Sequence, residues 1–549
     1  MSSNLSSTTP GCTDRLDYYA DGYRHQRLYV ALLILLALFL RLYRLSSQSI
    51  WVDEMLTLFW SGFSAPFIPA DVFTNLHSPL HSLVMFLWTR LAGESEFALR
   101  FPSVVFSVLS LFAIYRLILR LSGPRTAAVA LAVMALSPFH VWYAQEARNY
   151  SMLLFFSALS FESFLNLLSE PDRKSFGKYV LFTFAAFLSN MSAVFVVAVQ
   201  DVFFLISRRK LSFRSLVFAH VILAFLLLPW LGEMLHRVEF LRLARTAPYV
   251  GTEFLRGQTT FTPFAVPYTF FVFSLGYSFG PSLAELHESA RLASFAHYGP
   301  VLIPAAIAFS LAVLLGIISL RNRTKLLSLL LVWIALPLVV VSFFAIKNFK
   351  PFNPRYLMVS YPAFVLLLAE GLRLGGARAV GPGASEPEGT VRRRGMVSFL
   401  GTAMRLALCA LVLGTMLLSL WNYYRVPRYG KDDFRAASRT LEAEFAPGDM
   451  VFTEGTYEPL LYYLRHGHSG QGGAPITFLP LYPEMVGNDA RVRDYVLEKA
   501  REANRVWLVT SRLWNLDPER KVPALFQQMF LAEREFHFQG VDVVLYSKR

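Results

Sequence analysis

Asp53 and Glu54 stand side by side in the stretch Ser49-Ile50-Trp51-Val52-Asp53-Glu54, a few residues past the nearly charge-free run Leu28 to Leu40. Arg41 and Arg44 close that run, where long cationic side chains snorkel, and Trp51 is of the type enriched at headgroup level. Ionised groups at such a boundary are costly unless water, a cation or a substrate pairs with them, so the acidic pair is a candidate site. Ordinary solvated loop acids are the alternative. Three further clusters have the same setting. His77-Ser78-Pro79-Leu80-His81 carries two imidazoles at the i, i+4 spacing of a helical metal pair. Pro79 between them weakens a helical reading, and interfacial hydrogen bonding is the commoner role. Gln145-Glu146-Ala147-Arg148-Asn149-Tyr150 lies between two apolar runs. Glu146 and Arg148 are too close to pair along one helix face, so they either pair with other loops or line a polar cavity. Lys347, Lys350 and Arg355, just before Tyr356, place three cations and no acid together. A phosphate would compensate them, with arginine offering a two-pronged fork and lysine a point charge. Pairing with Glu54 or Glu146, or with bulk lipid headgroups, would serve as well.

Carboxylates on one wall of a cavity and cations on another suit transfer of a group from a phosphate-bearing lipid. A carboxylate takes the proton of an acceptor hydroxyl while cations stabilise charge on the departing phosphate. Attack from the face opposite the phosphate inverts the reacting carbon.

The elements that must position these residues are membrane helices. The chain is 54% hydrophobic and 16% charged with mean hydropathy +0.43, over 549 residues. That is the composition of a polytopic membrane protein. Its net charge of +14 resides entirely in the first 420 residues, with 35 basic against 21 acidic, while the remainder has 17 of each. A nucleic-acid-binding protein would carry its excess on a soluble domain, so no nucleic-acid partner is expected. Cys12 and Cys409 form neither a disulfide framework nor a thiolate metal site. Apolar runs of about twenty residues, as the hydrocarbon thickness requires, fall at 28–46, 98–119, 126–142, 150–168, 216–232, 300–320, 326–346, 356–373 and 397–420. The stretch 179–206, broken at Ser189-Asn190, is expected to be a tight hairpin of two short or tilted helices, and 266–280 an interfacial segment. Basic loops around Arg120, Lys174, Arg209, Arg323 and Arg393 are cytoplasmic by the positive-inside rule. Eleven crossings then leave residues 1–27 inside, and put loops 47–97, 233–299 and 347–355 outside together with the tail. The Gly/Pro/Glu-rich run Gly381 to Gly389 reads as a linker in the longest inner loop. The tail, 421–549, alternates strands and helices, predicting a small α/β domain without a Gly-rich phosphate loop or a nucleophile motif. It reads as a lid or acceptor-binding element. The expected whole is a polytopic α-helical membrane domain, 28–420, with a C-terminal extracytoplasmic α/β domain.

In this order the motifs Trp51-x-Asp53-Glu54, His77-x-Pro79-Leu80, Glu96-Phe97-Ala98-Leu99-Arg100-x-Pro102, Gln145-Glu146-Ala147-Arg148-x-Tyr150 and Arg355-Tyr356 resemble the membrane glycosyltransferases of the GT-C class. The likeness is to the family 39-like group of protein O-mannosyltransferases, lipid A aminoarabinose transferases and rhizobial lipopolysaccharide-core transferases, and covers about residues 28–375. The resemblance implies an inverting transferase in the plasma membrane, the inner membrane of a bacterium. It implies a polyprenyl-phosphate sugar as donor and a lipid, glycan or protein as acceptor. It maps the catalytic base onto Asp53 and a place near the donor phosphate onto Arg355 and Tyr356. Glu54 and Glu146 complete the expected catalytic acids, Lys347 and Arg148 the phosphate site, and His77, His81 and Tyr150 the substrate cavity. No cofactor is assigned, and a divalent cation is left open. Ser78, where the family often has a second proline, and Asn190-Met191, where many members have a His-Tyr pair, depart from the pattern. A lipid-linked sugar transporter or flippase would also hold intramembrane polar groups, with internal repeats and broken helices near the midplane. An envelope-assembly scaffold would explain the tail but not the clustered charges. Convergence of Asp53, Glu54, Glu146 and Arg355 on one cavity separates the readings.

Overall fold

The computed structural model describes all residues except 1–11, 62–77, 208–210, 247–260, 289–295, 348–351, 375–387, 456, 467–475, 482–487, 514–516 and 518. His77, Lys350 and most of the expected linker therefore lie outside the described residues. The chain opens with helix α1, Cys12–Leu42. Loop 47–97 then holds two short helices, α2 (Val52–Trp60) and α3 (Pro79–Ala92). At nine and fourteen residues they are too short to span a bilayer, which is why an apolar-run reading passed over them. Asp53 and Glu54 occupy the first turn of α2, where the helix dipole favours acids. Pro79 takes the first position of α3, where its missing N–H costs nothing.

The long helices follow the apolar runs. They are α4 (Glu96–Ser122), α5 (Pro124–Leu136), α6 (Pro138–Ala144), α7 (Tyr150–Ser169), α8 (Arg173–Ser189), α9 (Ala193–Ile206) and α10 (Phe213–Thr246). After α11 (Ala265–Leu275) and the short α12 (Leu283–Glu288) come α13 (Gly299–Leu320) and α14 (Thr324–Ile346). A 3-10 turn, Pro354–Ser360, leads into α15 (Tyr361–Leu372), and α16 (Glu388–Arg425) ends the membrane domain. Seven helices among the described residues are long and apolar enough to cross a membrane, or eight if the bent pair α5–α6 is one span. The stretch 179–206 falls on two helices, α8 and α9, separated by a break at Asn190.

Two local features differ from the sequence reading. The run 126–142 is not one straight span, because α5 and α6 meet at 59°. Pro138 has no N–H to give the preceding turn, and the Ser137 hydroxyl instead accepts from His140 N at 3.2 Å. The bend aims the chain after α6 toward the end of the bundle where α2 lies. Arg41 does not snorkel either. Its guanidinium is fully buried and donates to Ser107 Oγ (2.8 Å), to the carbonyls of Ala37, Met134 and Ala135, and to His140 Nδ1 (2.8 Å).

Helices α13 and α15 touch backbone to backbone. A Cβ on Gly316 would lie 2.0 Å from the Leu367 carbonyl oxygen, and one on Gly371 would lie 1.7 Å from that of Ala312. Gly371→Ala is expected to destabilise the protein by at least ~2 kcal/mol through this overpacking. Thermal unfolding in detergent checks it, with Gly414→Ala as the neutral control because nothing lies within 4 Å of its Cβ position.

The tail adds α17 (Phe434–Glu444), β1 (Met450–Glu454), α18 (Glu458–His466), β2 (Phe478–Leu481), α19 (Asp489–Lys499), β3 (Arg505–Ser511), α20 (Lys521–Met529), β4 (Phe530–Phe538) and β5 (Val541–Lys548). The sheet order is β2-β1-β3-β5-β4, with β1 parallel to β2 and β3 and the β5 pairings antiparallel. Alternation along β1 sends Phe452 into one core with Leu508 and Phe526, and Val451 into another with Phe434 and Trp507. The domain is seated on loop 47–97. Arg435 Nε donates to Glu96 Oε1 at 3.0 Å, Tyr463 Oη donates to the same carboxylate, and Tyr462 Oη donates to the Glu94 carbonyl at 2.6 Å.

Candidate active site

A cavity of about 450 Å³ lies between the end of the helical bundle and the tail domain. The bundle contributes Trp51, Asp53, Glu146, Tyr277 and Arg355, and the tail contributes Lys431, Asp432 and Arg512. Asp53, Glu146 and Arg355 thus come together from three separate elements: α2, the turn between α6 and α7, and the 3-10 turn before α15.

Asp53 is paired with Arg355, whose guanidinium donates to Oδ2 at 2.5 Å. Burial alone would raise the Asp53 carboxyl, but Arg355, Arg148 and Arg512 outweigh it and hold it at about 2. Arg148 reaches the same helix through its own guanidinium, donating to the Asp53 carbonyl at 2.9 Å and to Thr57 Oγ1 at 3.2 Å. Its guanidinium also lies 5.9 Å from the centre of the Tyr150 ring, and that of Arg355 lies 5.6 Å from the Tyr356 ring.

Glu54 points the other way and lines no part of the cavity. Arg100 grips it with two parallel bonds, Nε to Oε1 at 2.7 Å and Nη2 to Oε2 at 2.8 Å, and the Ala147 N–H adds a third at 2.9 Å. Arg100 spends its other donors on the carbonyls of Leu45, Gln48 and Ser49. Burial pushes the Glu54 carboxyl up, yet Arg100 and Lys431 hold it at about 2. Both Glu54 and Arg100 are essentially without solvent contact, so this pair ties α2 to α4.

Glu146 has the opposite electrostatics. Burial and the neighbouring acids Asp53 and Glu54 raise its carboxyl to about 7, against the pull of Lys431 and Arg148. Its Oε2 is buried with no hydrogen-bond partner among the described residues. A carboxyl titrating near neutrality in a cavity is suited to proton handling.

The remaining expected residues are less central. His81 is buried in α3 and held neutral, its imidazole lowered to about 3 by burial and by Arg148. Lys347 follows the last residue of α14, is exposed, and is not among the residues lining the cavity. Among the described residues no three His, Cys, Asp or Glu side chains converge as metal ligands would.

Sequence reasoning missed the tail's contribution. Lys431 Nζ lies 3.5 Å from Glu54 Oε2, donates to the Gln145 carbonyl at 3.3 Å, and sits 5.5 and 5.9 Å from the ring centres of Trp51 and Trp142. Arg512, in a left-handed backbone conformation just past β3, bonds Asp432 at 2.8 Å and lies 5.0 Å from the Trp51 ring centre. A signal existed. Arg425, Arg428 and Lys431 follow the last apolar run, on the side that the loop charge leads one to expect outside, where clustered cations are conspicuous.

Comparison with known proteins agrees with this architecture. A family described as dolichyl-phosphate-mannose-protein mannosyltransferase matches residues 76–232, from just before α3 into α10. The crystal structure of ArnT from Cupriavidus metallidurans in the apo state superposes with a TM-score of 0.57 at 15% identity, covering 96% of this chain and 98% of that one. For the same protein bound to undecaprenyl phosphate the TM-score is 0.55 at 14% identity, with 94% and 98% covered. The chain has the GT-C membrane fold of these structures, and a part of it matches a family of glycosyltransferases. At these identities the solved structures speak for the fold, while the family match speaks for sugar transfer. No curated protein matches the chain significantly. The family match includes Glu146 and Arg148, while Asp53, Arg355 and Lys431 lie outside it.

Proposed function

We propose that the enzyme moves a sugar from a polyprenyl-phosphate donor to an acceptor hydroxyl at the extracytoplasmic face of the plasma membrane, with inversion. The observation that carries this reading is the meeting of Asp53, Glu146 and Arg355 at one cavity, with carboxylates and a guanidinium facing the same space. The structure of ArnT with undecaprenyl phosphate supports a polyprenyl phosphate as the lipid. The distribution of basic loops supports the orientation.

In the proposed reaction the acceptor O–H gives its proton to the Asp53 carboxylate as its oxygen bonds to the anomeric carbon. The bond from that carbon to the phosphate oxygen breaks, and the electron pair leaves with the polyprenyl phosphate. Arg355 stabilises the charge that develops there, with Tyr356 and Arg148 beside it. In the resting site Arg355 holds Asp53 at about 2. An arriving phosphate shares that guanidinium and leaves the carboxylate a stronger base. Glu146, when ionised, accepts a hydrogen bond from the incoming hydroxyl and orients it. Glu54 anchors α2 through Arg100 and takes no part in the chemistry. The tail domain closes the cavity on the acceptor side.

The test is turnover in proteoliposomes supplied with a panel of polyprenyl-phosphate sugars and envelope lipid extract. Free polyprenyl phosphate and a product of inverted anomeric configuration are expected. Retained configuration, or no turnover with any donor, refutes the reading.

A further inference from the structure

The tail's Lys431 occupies a place that a lid residue would not need. Its side chain is 1% exposed, and it lines the cavity with its ammonium 5.5 and 5.9 Å from the ring centres of Trp51 and Trp142. There it joins three things: the Glu54 carboxylate at 3.5 Å, the carbonyl of Gln145 at 3.3 Å, and the cavity that Glu146 lines. Gln145 immediately precedes Glu146, so the ammonium is bonded to the very turn that carries that carboxyl. Burying an ammonium this completely is costly unless it compensates charge. Arg100 already supplies Glu54 with two bonds, whereas the Glu146 carboxyl has an oxygen that is buried without a hydrogen-bond partner among the described residues.

We propose that Lys431 is a positioning residue that keeps Glu146 ionised, so that the active site is armed only when the C-terminal domain is docked. The inference rests on the acid–base role given to Glu146 above. Among the described residues, charged groups from several elements act on Glu146, and Arg428, Asp432, Arg512 and Asp542 of the tail line the same cavity. Asp53 and Glu54 of α2 oppose its ionisation, while Arg148 of its own turn and Lys431 of the tail favour it. Tyr143 of α6, Tyr277 after α11 and Tyr423 of α16 are neutral neighbours, and Arg355 lines the same cavity. Burial raises the carboxyl to about 7, while two acids and two cations act against each other around it. Lys431 is the larger of the two cationic influences, and it alone comes from a different domain. Removing it favours the neutral carboxyl, so the Glu146 titration moves to higher pH and a smaller fraction is ionised at any given pH.

The experiment is an infrared titration of the full-length protein in lipid nanodiscs, with Glu146→Gln identifying the Glu146 carbonyl band. Lys431→Gln keeps a donor for the Gln145 carbonyl without the charge, and Lys431→Met removes both. The band midpoint is expected to rise by at least one pH unit in either variant, and Lys431→Arg should restore it. The acid limb of transfer activity should move upward in parallel, about tenfold slower at a pH one unit below the new midpoint. A folded Lys431→Gln protein with an unmoved midpoint overturns the proposal, since a purely structural lysine would change thermal stability and leave the titration alone. A midpoint that moves while the rate limb stays overturns the arming role. A midpoint that moves in a protein without any transfer activity upholds the coupling and refutes the proposed function instead.

Discussion

Asp53→Asn is expected to lower sugar transfer about a thousandfold while the protein remains folded. Asparagine keeps an oxygen for the Arg355 guanidinium, now 2.5 Å from Oδ2, but that oxygen takes no proton at working pH. The pair is also partly open to solvent, with the two side chains 22% and 15% exposed, so loss of the charge leaves Arg355 hydrated rather than stranded. Transfer measured in proteoliposomes should fall in kcat, with size-exclusion profile and thermal midpoint close to wild type. Undiminished activity would remove Asp53 from the chemistry. Arg355→Ala should instead raise the donor concentration needed, because it removes a contact to the phosphate.

Glu54→Gln, one residue away and just as conservative, is expected to have the reverse phenotype. Glutamine cannot answer the fork of Arg100, whose bonds to both carboxylate oxygens measure 2.7 and 2.8 Å. Arg100 would be left as a buried cation without its ion-pair partner, and Lys431 would lose one of its two acids. Breaking a buried pair from one side costs about 3–5 kcal/mol, comparable to a large part of a typical folding free energy. Little monodisperse protein should be recovered from membranes, with a markedly lower thermal midpoint for what is recovered. A Glu54→Gln protein with a wild-type midpoint and no transfer would move Glu54 into the catalytic group. Two neighbouring acids thus separate cleanly by experiment, one lost to chemistry and the other to folding.

That separation shows where sequence reasoning stops. Asp53 and Glu54 were singled out together because they share a boundary position. Successive residues on a helix point about 100° apart, and only packing against α4 shows which of them turns inward. The long spans were legible because bilayer thickness fixes their length. Helices α2 and α3 were not, being shorter than that length, and the bend at Ser137-Pro138 was concealed inside an unbroken apolar run. Arg355 and Glu146 were found because charge at the bilayer edge is conspicuous. Lys347 carried the same signal, yet its side chain is exposed and lines no part of the cavity. In the tail, the alternation of strands and helices made a small α/β domain legible, while the order of its strands depends on long-range pairing. Lys431 and Arg512 reach the cavity through tertiary docking, and no local pattern encodes that.

The Glu54 anchor also has a consequence for synthesis. Arg100 enters the membrane with the second long span and can meet Glu54 early. Lys431 follows α16, the last helix of the bundle, and reaches the same carboxylate only after every other span has been made. Loop 47–97 likewise waits for Arg435 and Tyr463 before Glu96 finds its partners. The nascent chain therefore completes the contacts of its first loop last, and a chain released before residue 431 lacks a cation of the candidate site.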